Sequence, residues 1–427
     1  MTKQIIKILA IETSCDETAA SVIEMVDGEP VVLSNIISSQ IDLHAKTGGV
    51  VPEVASRAHM EAIVPVVAEA LIAAQNNKNQ EPDTKQVPNL NTKNLKVDTC
   101  DLSEICNLDF EIYPKAIKLL GDITHIAVTA GPGLIGSLLV GFNAAKSISY
   151  ARDLPIVPIN HIEGHIYSAF AEYSQKPEVR SQKLFPVLAL TVSGGHTSIT
   201  LMKDHGIYET IGQTLDDAVG EAYDKVAKLL GLGYPGGPII SKMAEKFRNE
   251  SNNKFRQNNE NTDLLAHLLT GRLIVFPRPM IGDGTFNFSF SGLKTAVLTK
   301  VKNILAENNF ESVDQIPLEL KQEIAAAFEE AVSDVLCSKL GRAISKYQPE
   351  TVVFAGGVSA NRYLADKLQA ECEKSKESKI VFLTPKREMC GDNAAMIGLS
   401  AYYHILRGDV SAWSDIKVDS NWELVSD

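Results

Sequence analysis

The feature that most restricts how this chain can fold is a repeated unit of apolar run, short polar turn and apolar run. The first copy is ILAIETSCDETAASVIEM, with β-branched and apolar residues over Ile5–Ile11 and Ala20–Met25 on either side of SCDET. The second is VLALTVSGGHTSITLM, where Val187–Thr191 and a strand through Met202 flank VSGGHTS. Such runs broken by a short polar turn predict hairpins. After the first copy, Ile123–Thr129 reads as a strand, AGPGLIGSLLVGFNAAKSIS as a Gly-rich turn entering a helix, Ile156–Ile159 as a strand, and HIEGHIYSAFAEY as a helix. After the second, TVVFAGGVSANRYL reads as strand, double-Gly turn and helix start, and CGDNAAMIGLSAYYHIL as a loop running into a helix. This alternation predicts an α/β protein of two similar lobes around a cleft, with ligands held where turns leave the strand ends. We place lobe I over residues 1–150, rejoined by the C-terminal segment 391–427, and lobe II over 151–390.

Two stretches break the pattern. Residues Gln75 to Asp122 are polar, Asn-rich and punctuated by prolines, with a short helix expected near Tyr113–Leu119. A second Asn-rich patch, Arg248–Asp263, reads as a surface loop. Neither carries enough apolar surface to offset the cost of ordering. By contrast, Glu53–Ala74 has apolar residues at helical spacing and follows a loop over Gly48–Pro52.

The 427 residues are 44% hydrophobic and 22% charged, enough for a large core, and the formal net charge is -12. The charge balance argues against a broad basic face for phosphate neutralisation, and nucleic-acid contacts would have to be local or supplied by a partner. The six cysteines, Cys15, Cys100, Cys106, Cys337, Cys372 and Cys390, are scattered without a CxxC pair, which favours a reducing compartment. The N-terminus reads as a strand and not as a signal peptide. No apolar stretch is expected to reach bilayer-spanning length.

Several segments could carry chemistry. His161 and His165 stand at i and i+4 of a predicted helix, so both imidazoles can reach one metal ion. Glu163 lies between them, not directly after the first histidine as in the zinc-protease helix. Asp392 in CGDNAAM is the candidate third ligand. The bland alternatives are histidines that cap or pack at a helix start, and Asp392 as a helix N-cap. In VSGGHTS, consecutive glycines can turn backbone N–H groups toward a phosphate, with Ser193, Thr197 and Ser198 as hydroxyl donors; a plain hairpin turn is the alternative. In SCDET, Asp16 and Glu17 could hold a cation or position phosphate-bound groups, or be a solvated turn. In GGVSANRYL, Gly-Gly lets a flat ring approach and Asn361 could bond a nucleoside, unless Ser359 or Asn361 is simply the helix cap. In DDAVGEAYDKVAKLLGLGYPGGP, Ala222–Leu230 reads as an amphipathic helix flanked by Asp224 and Lys225. Asp224 could bind ribose hydroxyls or be surface charge.

These segments, with GGVVPEVASRAHME and FSFSGLKTAV, run in order along nearly the whole chain. Together they resemble the tRNA threonylcarbamoyladenosine transferase family in its bacterial form, earlier labelled O-sialoglycoprotein endopeptidase. The resemblance implies an actin/sugar-kinase/Hsp70-type fold of two RNase-H-like lobes. It implies one divalent metal ion, Fe2+ or Zn2+, on His161, His165 and Asp392. It implies contacts to a threonylcarbamoyl-AMP donor from Thr191, Val192, Ser193, Gly194, Gly195, Asp224, Gly237 and Asn361. It also implies transfer to the N6 amine of adenosine 37 in tRNAs reading ANN codons, with Asp16 a candidate for positioning or proton transfer. Implied partners are tRNA, an inactive-type paralogue (TsaB) and a small ATPase (TsaE), in the cytoplasm and away from membrane. Local basic candidates for tRNA contact are Lys46, Arg57, Arg272, Arg278 and Lys294. The Asn-rich inserts depart from the family pattern but fall between its motifs. Three other readings compete: a metalloprotease using the histidine pair, a non-catalytic scaffold of the same fold, which would lack His161, His165 and Asp392, and a small-molecule kinase, which would need no histidine pair.

Overall fold

A computed structural model describes residues 5–26, 28–78, 92–94, 112–171, 183–257, 274–374 and 379–424, with backbone alone at 92–94 and 252–257. The chain forms two compact units: residues 1–183, 204–208 and 385–427 in the first, and 184–203 and 209–384 in the second.

The first unit is built on a six-stranded sheet. Its strands are β1 (Lys7–Glu12), β2 (Glu17–Val26), β3 (Glu29–Ser39), β4 (Thr92–Asn94), β5 (His125–Gly131) and β6 (Ile156–Asn160), in the order β4-β3-β2-β1-β5-β6. The expected hairpin is present: β1 and β2 pair antiparallel from Lys7↔Glu24 to Glu12↔Ala19. β1 then pairs parallel with β5, and β5 with β6. Every residue of β1 is buried, as a central strand covered on both faces requires. Leu9 and Ile11 pack with Ile63 and Phe142 from the helices Pro52–Lys78 and Ile135–Arg152. Ala10 faces the other way, toward the helix Ala394–Arg407, where a Cβ on Gly398 would lie 3.2 Å from Ala10 Cβ.

The second unit repeats the scheme with five strands. These are β7 (Val187–Val192), β8 (Thr197–Asp204), β9 (Ile207–Gln213), β10 (Thr351–Ala355) and β11 (Val381–Leu383), in the order β11-β10-β7-β8-β9. β7 pairs antiparallel with β8 and parallel with β10, and β10 pairs parallel with β11. The order β11-β10-β7-β8-β9 matches β6-β5-β1-β2-β3 strand for strand, so each unit is an RNase-H-like mixed sheet. The helix Leu318–Tyr347 runs through this unit's core.

Four expectations are corrected. The boundary at 150/151 falls too early, because β6 completes a β5–helix–β6 crossover whose second strand must join the same sheet. The return to the first unit begins at Pro385 and not at 391. The Asn-rich patch beginning at Arg248 is helical through Gln257, as the end of the helix Gly236–Gln257; Arg248 is held by the tertiary contacts described below, which override the loop-like composition. The helix Pro52–Lys78 is, among the described residues, long and apolar enough to cross a membrane by length and composition, with half of that window buried in the protein. The short helix expected near Tyr113–Leu119 is found as Ile112–Leu119. Strands β3, β4, β9 and β11 had no counterpart in the sequence reading.

Candidate metal centre and glycine turns

The first unit brings His161, His165 and Asp392 together, with one ligand atom of each within 4.8 Å of the others. Three local choices produce this. Asn160 ends β6 and caps the helix His161–Phe170, accepting from the N–H groups of Ile162 (2.9 Å) and Glu163 (3.4 Å). The cap is therefore Asn160 and not a histidine, and both rings are free to project from one face. Gly164, between them, lies against the helix that follows Asp392: a Cβ there would sit 2.9 Å from Ile397 Cδ1 and 3.2 Å from Met396 Cγ. Asn393 caps that second helix by accepting from Met396 N at 3.0 Å. Asp392 is thereby relieved of the capping role and points its Oδ1 to within 3.5 Å of His161 Nε2 and 3.2 Å of His165 Nε2.

Buried partners orient the first ring. His161 Nδ1 lies 3.3 Å from Glu12 Oε2 and 3.1 Å from Ser14 Oγ. Glu12, fully buried at the end of β1, also accepts from Ser14 N and from the Thr129 hydroxyl. A carboxylate on Nδ1 assigns the proton there and leaves Nε2 as the ligand atom. Burial opposes charge on His161, but Asp392 and Glu12 overcome it and raise its pKa to about 9. His165 shifts the other way, because burial dominates. Its Nε2 has Asp392 beside it at 3.2 Å, while its Nδ1 is buried without a hydrogen-bond partner. Buried polar atoms are rarely left so, and two imidazoles with one carboxylate are the donor set that suits zinc or non-haem iron. The residues fit the metal that the resemblance implied.

The turn SCDET borders this centre. His59 Nε2 bonds the Cys15 carbonyl at 3.0 Å, and its Nδ1 lies 2.7 Å from the Thr18 hydroxyl. Gln40 N donates to the Asp16 carbonyl at 3.0 Å. The turn of AGPGL packs against it too, since a Cβ on Gly133 would meet the Ser14 carbonyl at 2.7 Å. The Cys15 thiol is pushed far up by burial and by Asp16, Asp392 and Glu17, which removes it as a nucleophile. Glu17 is raised by burial and by the same two aspartates.

Glu163 does not serve the metal face. Its buried carboxylate accepts from Tyr208 OH at 2.5 Å and lies 3.0 Å from His404 Nε2. The protease reading thus lacks its base.

In the second unit the glycine turns converge. β7 ends at a turn closed by Ser193 N donating to His196 O (2.8 Å) and His196 N to Ser193 Oγ (3.1 Å). Gly194 and Gly195 are exposed, with open space where side chains would be. Gly220 N donates to the Ser193 carbonyl at 3.2 Å. Gly356, at φ 88°, comes so near that a Cβ would lie 2.4 Å from the Val192 carbonyl. Thr191 Oγ1 is buried without a partner. Thr197 Oγ1 accepts from Val219 N at 3.0 Å and so serves the start of the helix Val219–Leu229. Asp224 Oδ1 accepts from Gly236 N at 2.7 Å, beside Gly237, whose Cβ position is open. Asn361 is the cap of the helix Arg362–Glu373, accepting from Leu364 N at 3.2 Å, and its Nδ2 donates to Glu329 at 2.6 Å.

Among the basic candidates, Arg278 pairs with Asp334 at 2.8 Å, Lys294 with Asp217 at 3.2 Å and Arg57 with Glu53 at 2.7 Å. Lys46 is exposed. Arg272 lies outside the described residues, as do Cys100 and Cys106. Sequence reasoning missed Glu12, His59 and Glu329. Glu12 had a signal, an acid closing a fully apolar strand, as did Glu329 in the apolar run AAAFEEAV.

Comparison with known proteins shows the family. The family profile for tRNA N6-adenosine threonylcarbamoyltransferase matches residues 31–81 and 114–399. A protein of that name from Thermodesulfovibrio yellowstonii is 42% identical over 405 residues, covering 95% of this chain and 96% of its own. One from Bacillus subtilis is 40% identical over 419 residues, covering 98% and 96%, and one from Staphylococcus haemolyticus 39% over 417, covering 98% and 96%. With two imidazoles and a carboxylate gathered in one unit, glycine turns in the other, and this likeness over nearly its full length, the chain belongs to the tRNA N6-adenosine threonylcarbamoyltransferase family and is a transferase.

Proposed function

We propose that the chain transfers threonylcarbamoyl from threonylcarbamoyl-AMP to the N6 amine of adenosine 37 in tRNAs reading ANN codons. The N6 nitrogen forms a bond to the carbamoyl carbon, the bond from that carbon to the phosphate oxygen breaks, AMP leaves, and the amine loses a proton. Thr191, Val192, Ser193, Gly194 and Gly195 would face the phosphate and acyl part of the donor, with the Gly194 and Gly195 N–H groups and the Thr191 and Ser193 hydroxyls as donors. Asp224 would take the ribose hydroxyls, and Gly237 and Asn361 the nucleoside. Asn361 would act through its turn and its remaining lone pair, since both its amide atoms already have protein partners.

His161, His165 and Asp392 would hold one Fe2+ or Zn2+ ion. Such an ion supplies Lewis-acid polarisation of a bound oxygen. Glu12 holds the His161 ring, and Asp16, in the turn beside it, would position the acceptor or receive its proton. No covalent nucleophile is needed, in keeping with the suppressed Cys15 thiol.

The observation that carries this reading is the buried cluster of His161, His165 and Asp392, their ligand atoms within 4.8 Å of one another, in a chain of this family. The net charge of -12 supports a partner that brings basic surface to the tRNA, for which we propose the inactive-type paralogue, with the small ATPase completing a cytoplasmic assembly that needs no membrane. The test is reconstitution from the chain, its partners, threonylcarbamoyl-AMP and unmodified tRNA, read by mass spectrometry of the nucleosides. Wild-type product that disappears in His161→Ala and Asp392→Ala supports it. No product, with partners proven active on another transferase, sinks it.

A further inference from the structure

Glu329 is 0% exposed and sits midway along the helix Leu318–Tyr347, among Ala325, Ala326, Phe328 and Val332. A carboxylate in such a core is costly unless it is paired and bonded, and an apolar residue would often serve stability as well. This one is fully used. Its Oε1 accepts from Asn361 Nδ2 at 2.6 Å and from Tyr223 OH at 3.2 Å, and its Oε2 from Arg248 at 2.6 Å. Arg248 in turn stacks on Tyr363, with its guanidinium carbon 3.8 Å from the ring centre.

The three donors come from three different elements, and each element carries one proposed donor-binding position. Tyr223 precedes Asp224 on the helix Val219–Leu229. Arg248 is on the helix Gly236–Gln257, whose first turn holds Gly237. Asn361 is itself such a position and caps the helix Arg362–Glu373. Two further bonds link neighbours within this group: Asp224 accepts from Gly236 N at 2.7 Å, and Asn361 Nδ2 reaches Tyr223 OH at 3.4 Å.

We infer that Glu329 is the positioning residue of the nucleotide-binding half of the site, fixing Asp224, Gly237 and Asn361 relative to one another without touching the ligand. This rests on the assignment of those three residues to the donor.

The test uses the full-length chain, with AMP, the leaving product, as the calorimetric probe. Glu329→Ala removes all three bonds. Glu329→Gln keeps an oxygen for Asn361 and Tyr223 but sets an amide against Arg248. The expected result is a loss of AMP affinity on the order of ten- to a hundredfold in Glu329→Ala, because a misplacement of about 1 Å is enough for this. Glu329→Gln should fall between it and wild type. In the transfer reaction the KM for threonylcarbamoyl-AMP should rise in the same order, while metal content stays at the wild-type level. A residue that only supported the core would lower melting temperature in both variants and leave AMP affinity unchanged, which overturns the inference. If Glu329→Ala does not fold, Glu329→Gln decides by the same comparison. Asp224→Ala and Asn361→Ala run alongside. Should they lose AMP while the Glu329 variants bind normally, only the positioning role fails. Should they too bind AMP normally, the donor-site reading itself fails.

Discussion

Glu12 Oε2 lies 3.3 Å from His161 Nδ1, so the last residue of the first strand sets the direction of a side chain that begins a helix 149 positions later. The contact fixes the ring, and with it the nitrogen left for a metal. We predict that Glu12→Gln keeps the fold but weakens metal binding by about 10- to 100-fold, the usual loss when an outer partner of a histidine ligand is changed. Competition with a chromophoric chelator would measure it. Unchanged affinity would mean that Glu12 serves only the packing of the strand end.

The raised pKa of His161 gives a pH dependence with a definite sign. With His161 at about 9 in the metal-free protein, a proton competes for the ligand nitrogen over the whole neutral range. Apparent metal affinity should rise by about tenfold per pH unit up to that value and then level off. The stability of the metal-free chain should run the opposite way. A group whose folded pKa is raised stabilises fully below its unfolded pKa of about 6.5 and loses that contribution as pH rises through the folded value. Denaturant titrations from pH 6 to pH 9.5, with and without zinc, would show the two trends diverging. Parallel trends would contradict the assignment.

Glycine 164 is a spacer between the ligand-bearing segments. Gly164→Ala should change stability little, because the end of the Ile397 side chain at 2.9 Å and Met396 Cγ at 3.2 Å must shift by a few tenths of an ångström, against which alanine gains about 1 kcal/mol of helix propensity. Gly164→Leu should cost about 1–3 kcal/mol by overpacking and should also reduce bound metal, by driving the helix after Asp392 away. Urea unfolding and metal analysis on both variants test this. Equal stability of the leucine variant would show that the helices can part freely.

Gly356 offers a contrasting case, since its obstacle is backbone. At φ 88°, with a Cβ only 2.4 Å from the Val192 carbonyl, Gly356→Ala has no side chain that could give way. With ψ at 167° the backbone is in a region that essentially only glycine occupies, and any other residue there costs about 1–3 kcal/mol before any clash is counted. The expected outcome is a drop in stability beyond that value together with weaker AMP binding, read by urea titration and calorimetry. A variant as stable as wild type would show that the turn has room the structure does not suggest.

Glu163 separates the transferase from the protease reading. Its carboxylate is held by Tyr208 and His404. His404 is opposed by burial, yet its pKa is raised by that same carboxylate. Glu163→Gln should lower stability by about 1–3 kcal/mol, as a buried hydrogen-bonded network is weakened, and should leave metal content intact. Loss of bound metal with unchanged stability would place Glu163 on the metal face after all.

Much of this molecule was legible in the residue order because the relevant forces act locally. Apolar runs around SCDET and VSGGHTS specified the two hairpins, and the i, i+4 spacing put His161 and His165 on one helix face. Asn361 as a cap was also readable, since capping needs only three residues. Other features depended on contacts between distant segments. Strand β3 was missed because its middle is mixed in polarity, and only pairing with β2 stabilises it. The unit boundary was misplaced because a parallel crossover does not announce in sequence which sheet its second strand joins. The helix through Gln257 outlasted its Asn-rich composition because Arg248 is held by Glu329. Burial turned Glu12, His59 and Glu329 from unremarkable polar residues into anchors: a buried polar group must find a partner, and which partner is near is decided by the folded chain alone.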